Sequence, residues 1–258
     1  MNQVLEKYFD YFYLNIHKYK FNDWKVYIQI ERRVSELPSR IMIDQNTQLA
    51  CLLLNEAVIS NQLPEVVIDK PLRTLCCILT EIETPRLVIR HFKLEDYEDY
   101  VELVTQSDLR LWEGNKVIQD ESDIINYLKR DIEDPFKFAL YEKNLGKVIG
   151  HISIHPCSTR SVPSISMGYG LSAIYHRQGY MSEAAKTMLE YCFECLHVEL
   201  VEASYFDGNE ASAGVIRVMG MIYEGYRRYG YYDANQGPMH IHVCSITKEE
   251  YFSKKKFS

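Results

Sequence analysis

The chain has no run of about 20 apolar residues, the length a membrane-spanning helix needs, and its first residues, MNQVLEKYFDYF, lack a basic segment before an apolar one. Neither a membrane span nor a secretory leader is expected, and the expected compartment is the cytoplasm. A basic excess is missing as well. Twenty-nine Lys and Arg face 36 Asp and Glu, a net charge of -7, so no positive field exists to grip phosphate backbones and nucleic acid is not the expected partner. The short basic run Lys254, Lys255, Lys256 reads as a solvated end. The seven cysteines are odd in number and lack scaffold spacing, as in a protein with reduced thiols. No metal is expected. Cys192 and Cys195 do form a C-x-x-C, but within a helical pattern that puts both on the apolar face, which favours a core role.

Glycine- and serine-rich linkers, repeats and low-complexity tracts are also absent. What is present, 47% apolar and 25% charged residues over 258 positions, suits a folded protein of one large domain or two smaller ones. The first 82 residues differ from the rest. Val4, Leu5, Tyr8, Phe9, Phe12 and Ile16 keep a helical period over 3 to 18, Val26, Ile28 and Ile30 alternate as in a strand, as do Ile41 and Ile43, and Leu49, Leu52, Leu53 and Ala57 return to helical spacing after Asn46. This predicts a small helix-rich α+β unit over 1 to 82. The text LTEIETPRLVIRHF then runs directly into a strand.

From there the pattern predicts strands at 86 to 92, 137 to 143, 147 to 155, 164 to 171, 198 to 205, 221 to 229 and 239 to 247. Helices are expected at 94 to 106, 121 to 132, from about 180, and at 210 to 219. The class is α+β, a mixed sheet carrying helices, over residues 83 to 252, with 253 to 258 as a basic tail.

The segment Tyr175-His176-Arg177-Gln178-Gly179-Tyr180-Met181-Ser182-Glu183-Ala184 is a strand end, a turn and a helix start. Met181, Ala184, Ala185, Met188, Cys192, Cys195 and Leu196 give the helix one apolar face, so it begins near Gly179. Free N–H groups at a helix start attract anions, a glycine there lets a phosphate approach the main chain, and Arg177 can add a charge-assisted contact. Alone, a glycine before a helix is usually only a turn.

This segment resembles the acetyl-CoA signature Q/R-x-x-G-x-G/A of the GNAT superfamily, and in particular the form W-G-K/Q-G-Y-A/M-T/S-E-A of the branch that includes ribosomal-protein-alanine acetyltransferases. His176 takes the first position, Gly179 the glycine, Met181 the small residue, and Ser182-Glu183-Ala184 the trailing triplet. Three further matches follow the branch's order. Glu83-Thr84-Pro85-Arg86-Leu87-Val88-Ile89-Arg90 is similar to its opening strand E-T-x-R-L-x-L-R, and Gly146-Lys147-Val148-Ile149-Gly150 to its G-x-x-I-G hairpin. Asn209-Glu210-Ala211-Ser212, then Val215, Gly220 and Met221, resemble N-x-x-S-x-x-V-x-x-x-x-G-F/M.

The resemblance implies a GNAT-type mixed, mostly antiparallel central sheet flanked by helices, acetyl-CoA as acetyl donor, and an amine acceptor, either a protein N-terminus or a small molecule. It implies cofactor contacts at Leu171, Ala173, His176, Arg177, Gln178, Gly179, Tyr180, Met181, Ser182 and Asn209, and catalytic roles for Asn209 and Ser212, the latter beside the departing sulfur. The reaction implied is direct attack of the amine on the thioester, with a backbone N–H near the end of strand 164 to 171 stabilising the oxyanion. An α-amine, with a reference pKa of ~7.7 to 8.0, demands less of a base than lysine at ~10.4. Many relatives carry a glutamate before the signature, in E-I-G-Y; here the text is Ser166-Met167-Gly168-Tyr169. Candidate bases elsewhere are Glu113, Asp233 and His151, or a water relay. Trp112, Glu113, Tyr229, Tyr231 and Asp233 are expected to line the acceptor groove. Two other readings stay open, an acyl-CoA sensor without turnover and a drug-modifying acetyltransferase. Residues 1 to 82 could cover the groove, form a homodimer contact or recognise a partner.

Overall fold

The computed structural model describes residues 41–43, 79–157, 159–196, 198–233 and 236–255. The chain divides into two compact units, Met1–Thr80 and Glu81–Ser258. In the first, Ile41–Ile43 is a strand, where the alternation of Ile41 and Ile43 predicts one. The helix expected at 3 to 18, the strand around 26 to 30 and the helix around 49 to 57 lie outside the described residues.

Strands β1 (Leu79–Glu83, whose last three residues open the second unit), β2 (Leu87–Arg90), β3 (Lys137–Glu142), β4 (Lys147–Pro156), β5 (Ser164–Leu171), β6 (Leu200–Phe206), β7 (Ile222–Asp233) and β8 (Gly237–Thr247) follow the spatial order β1-β2-β3-β4-β5-β6-β8-β7. Neighbours pair antiparallel except β5 and β6, which are parallel. The expected mixed, mostly antiparallel sheet is present. Strand β1 was not expected. It lies beside β2 in the register Glu81↔Arg90 to Glu83↔Val88.

Helices α1 (Tyr97–Thr105), α2 (Ser107–Trp112) and α3 (Glu121–Glu133) separate β2 from β3. Tyr100, Leu103 and Val104 of α1, at helical spacing, join Ile124 and Leu128 of α3 in one apolar cluster against Ala139 and Val148. Asp120 starts α3 by accepting from the N–H groups of Ser122 (2.9 Å) and Asp123 (3.3 Å), which the first turn leaves without acceptors. The expected helix at 94 to 106 is a 3-10 turn, Leu94–Asp96, running into α1.

Helix α4 (Tyr180–Glu190) buries Met181, Ala184, Ala185 and Met188 on the predicted face. It continues as a π-helical turn, Tyr191–Cys195, in which Cys192 and Cys195 are both buried, and burial pushes the Cys192 thiol well above its ordinary pKa. They are core residues, as their spacing predicts. Helix α5 (Glu210–Val218) follows β6, and α6 (Lys248–Lys255) closes the unit. The end read as a solvated tail is in part helical. Thr247 and Glu250 cap α6 reciprocally, at 2.9 and 3.2 Å, while Lys254 donates to the Gly220 carbonyl and Lys255 pairs with Glu194.

Candidate active site at the parting strands

Strands β5 and β6 are bonded neighbours only from Ser164↔Leu200 to Met167↔Ala203. Beyond that point residues 168–171 pair with β4 alone, Gly168 facing Ser153, Tyr169 facing Ile152, Gly170 facing His151 and Leu171 facing Gly150. A cleft of about 1050 Å³ opens where the strands part. Residues 168–171 form one wall, and Ser204, Tyr205 and Phe206 of β6 stand on the other. A split of this kind leaves one side of a strand's peptide groups without ladder partners and available to a ligand.

The turn before α4 enters the same cleft. Gly179 has φ +82° and Arg177 φ +59°, so two residues within three positions are left-handed. Gly179 is the N-cap, and having no side chain it offers the first turn no acceptor. The Glu183 N–H bonds back to the Gly179 carbonyl at 3.0 Å, whereas those of Tyr180, Met181 and Ser182 precede the first intrahelical acceptor. Of the sequence-predicted contacts, Leu171, His176, Arg177, Gly179, Tyr180, Met181, Ser182 and Asn209 line the cleft.

Two predicted contacts do not face it. The Ala173 N–H is taken by the Gln106 side chain at 3.2 Å, and the Gln178 amide donates to the Ile174 carbonyl at 3.0 Å. Both brace the turn from behind. The His176 ring bonds the Leu171 carbonyl at 3.0 Å, so it too shapes the loop.

A cation that the sequence reading did not assign to the turn also lies against it. Arg86, just before β2, donates through Nε to Glu183 Oε2 at 2.7 Å and through NH1 to the Gln178 carbonyl at 2.8 Å, with its guanidinium 4.1 Å above the Tyr180 ring. Glu183 also accepts from the Thr84 hydroxyl (2.6 Å) and the Arg86 N–H (2.9 Å). Burial acts to raise the Glu183 pKa, but these donors outweigh it and hold the carboxyl below its ordinary range.

Across the cleft, Asn209 caps α5 by accepting the Ser212 N–H at 3.0 Å. The Ser212 hydroxyl meets the Tyr169 hydroxyl at 3.0 Å, and the Tyr169 hydroxyl also lies 3.1 Å from the Ser212 carbonyl. The sequence reading did not single out Tyr169, which lines the cleft. Burial pushes its pKa up to about 12, against the opposing effect of the Ser212 hydrogen bond, so it holds its proton at neutral pH. A signal existed, because Tyr169 shares a strand face with Leu171, two positions on.

The other half of the cleft is built from α2, β4 and β7. Helix α2 ends at Trp112 with Glu113 as its C-cap, and Trp112, Glu113 and Tyr231 all line the cleft. Arg110 holds Glu113 Oε2 at 3.1 Å, and His151 Nε2 lies 3.4 Å from Oε1. Burial raises the Glu113 pKa against the pull of Arg110 and Lys137, whereas burial first, then Lys137 and Arg110, drives that of His151 well below 6.5. The Tyr231 ring occupies the space a Cβ on Gly114 would need, 2.4 Å from its Cε1, and this packing joins the α2 end to β7.

Tyr229 and Asp233 stand apart from the groove in which the sequence reading expected them. Register shifts between Arg227 and Tyr231, at a bulge with Tyr229 in φ +49°, leave Tyr229 71% exposed and stacked on His240. Asp233 is fully buried at the β7–β8 turn, accepting the Gln236 N–H at 2.7 Å. Ser166 lines the cleft and offers no carboxylate.

No helix among the described residues is long and apolar enough to cross a membrane. Residues 86–222, more than half of the chain, match the acetyltransferase (GNAT) domain family. An uncharacterized N-acetyltransferase of Bacillus subtilis, YnaD, is 29% identical over 147 residues, which cover 56% of this chain and 84% of YnaD. The crystal structure of a GNAT-family acetyltransferase from Bacillus anthracis aligns with a TM-score of 0.60 at 25% identity, covering 66% of this chain and all of the other. The ribosomal-protein-S5-alanine acetyltransferase of Vibrio fischeri shares the fold, with a TM-score of 0.55 at 20% identity over 67% of this chain and 98% of its own. With the parted strands and the uncapped helix start in place, the four motifs read from the sequence and these likenesses agree: the chain belongs to the GNAT acetyltransferase family and is an N-acetyltransferase.

Proposed function

We propose that the chain takes its acetyl group from acetyl-CoA and transfers it to a primary amine, the α-amine of a protein N-terminus being the preferred acceptor class. The observation that carries the donor assignment is the uncapped first turn of α4, opening beside the parted strands β5 and β6. The N–H groups of Tyr180, Met181 and Ser182 would hold the pyrophosphate, in the space that the missing Cβ of Gly179 leaves, with Arg177 and Arg86 adding charge. Bound acetyl-CoA supplies the acetyl group as a thioester.

The remaining roles belong to side chains of the cleft. The Tyr169 and Ser212 hydroxyls, 3.0 Å apart, form a short relay that can hold a proton for the departing sulfur. Weak help suffices there, because a thiol with a reference pKa of ~8.5 leaves readily. Asn209 fixes Ser212 by capping α5 and faces the pantetheine path. Trp112 and Tyr231 give the acceptor side an aromatic wall suited to a peptide end. The Vibrio fischeri neighbour, named for a ribosomal-protein alanine, supports the same acceptor class.

Thiol release by the full chain, with a panel of free N-terminal peptides, Nα-blocked lysine peptides and small polyamines, tests this reading. Turnover should be fastest with a free α-amine. Saturable acetyl-CoA binding with no turnover on any amine would mean a sensor, and preference for a small drug-like amine would reassign the acceptor.

A further inference from the structure

An attacking amine must lose a proton, and Ser166, which lines the cleft, offers no carboxylate to take it. We infer that His151, supported by Glu113, is the proton acceptor for the incoming amine, a role that rests on the donor and acceptor reading above.

The first observation is steric. A Cβ on Gly170 would lie 2.2 Å from Glu113 Oε1 and 2.7 Å from His151 Cε1. The carboxylate and the imidazole therefore press against β5 at the residue where that strand has already left β6, and only a glycine admits them. This is the strand segment whose free backbone groups face the cleft. His151 and Glu113 reach it from two different elements, β4 and the end of α2.

A second observation concerns hydrogen bonding. Arg110 satisfies Oε2 of Glu113 and Asn115 also steadies the carboxylate, while Oε1 is buried with no protein donor in hydrogen-bond geometry. A buried acceptor left without a donor is costly, and a catalytic role is one reason a fold keeps such a group. His151 Nε2, 3.4 Å away, stands just beyond a formed hydrogen bond. An imidazolium donates from both nitrogens, so a protonated His151 can donate to Oε1 from Nε2 whichever nitrogen took up the proton. The side chains are 16% and 11% exposed, enough for His151 to meet a ligand in the cleft.

The charges around the pair set its resting state. Arg110 of α2 and Lys137 of β3 act on both groups, Lys137 is itself paired with Asp131 of α3 at 2.6 Å, and the Tyr231 hydroxyl of β7 reaches the Glu113 carbonyl at 3.4 Å. Burial and the two cations keep the ring neutral near pH 7, the state in which it can accept. In the step itself the amine nitrogen bonds to the acetyl carbon and the carbon–sulfur bond breaks. The proton lost by the amine goes to His151 and then to water, while the sulfur takes a proton from the Tyr169–Ser212 relay, which regains one from water. Products are the acetylated amine and the thiol.

The test compares the full chain with His151→Gln, His151→Ala and Glu113→Gln at saturating acetyl-CoA over pH 6 to 9.5. His151→Gln should lower kcat about 100-fold or more at pH 7, within the range that positioned bases contribute, and its rate should climb tenfold per pH unit as hydroxide replaces the base. Glu113→Gln should lose less, and added imidazole should restore part of the His151→Ala rate. Acetyl-CoA affinity by calorimetry should stay within about threefold. In the ligand-free protein, the His151 ring resonances should report a neutral imidazole at pH 6. An unchanged pH profile in His151→Gln, or no imidazole rescue, overturns the role. If the unaltered chain turns over no amine at all, the donor and acceptor reading fails first and this role falls with it.

Discussion

The buried imidazole of His151 should make the protein acid-sensitive by an amount that can be worked out. An unfolded histidine titrates near ~6.5, whereas in the fold burial, Lys137 and Arg110 hold His151 well below that value. A depressed histidine pKa means that the unfolded state binds the proton first. Its stabilising share is therefore full above ~6.5 and is lost as pH falls below it. If the folded ring stays neutral at pH 5, going from pH 7 to pH 5 costs about 2 kcal/mol, the free energy of protonating the unfolded ring alone. Glu113, whose pKa is raised, works in the opposite sense, and other groups titrate too. The difference between the native chain and His151→Gln isolates the histidine. Urea unfolding of both at pH 7 and pH 5 should show the native chain losing more than the variant, by up to about 2 kcal/mol. Parallel losses, within ~0.5 kcal/mol, would show that the ring is protonated in the fold and would refute the reasoning.

Three further outcomes are expected. Gly179→Val forces an L-residue into φ +82°, at a cost of roughly 1–2 kcal/mol, and aims its Cβ at Arg86 in the space proposed for phosphate; acetyl-CoA affinity should fall beyond calorimetric detection, and normal affinity would remove the proposed site. Ser212→Ala and Tyr169→Phe should each lower kcat about 10- to 100-fold while leaving the acetyl-CoA Kd within about threefold, because the relay acts on the departing sulfur; steady-state kinetics beside calorimetry would expose the reverse pattern. Glu183 has a depressed pKa, so its stabilising share is full above ~4.3 and is lost as pH falls through the lower folded value; an acid unfolding titration should run steeper in the native chain than in Glu183→Gln.

The parts legible in the sequence were those with a period or a cap. Met181, Ala184, Ala185 and Met188 drew the buried face of α4, and the alternation along β4 and β5 fixed both strands to within a residue. Helix α2 went unread because six residues give too few apolar repeats and Gln106 offers no side-chain cap. Helix α6 carried a readable sign, the Thr247 and Glu250 spacing of a capping box, obscured by the lysines that follow. At the cleft, Asn209 and Ser212 were singled out because one helix start holds both. Tyr169 was not, since its partner lies 43 positions away and no local pattern records that contact. Tyr229 and Asp233 were misjudged for a related reason. Nearness to Tyr231 along the chain does not survive a bulge, which sent one residue outward while the turn buried the other.

Glu183 illustrates what the geometry adds to a motif. In the sequence it is one letter of a trailing S-E-A beside a proposed phosphate turn, where a carboxylate is electrostatically out of place near an incoming pyrophosphate. In the fold its oxygens are spent on Thr84 and on the backbone and guanidinium of Arg86, residues of the opening E-T-P-R segment 97 to 99 positions earlier. The two motifs are one device. Glu183 neutralises part of its own charge and at the same time holds a cation against the Gly179 turn, where Arg86 is fixed by four contacts to Glu183, Gln178 and Tyr180. A guanidinium so restrained loses little further freedom when an anion arrives, so more of its attraction survives as binding. On the proposed reading, the carboxylate serves the anion site by positioning its cation, so an acidic residue can belong to a turn proposed to bind phosphate.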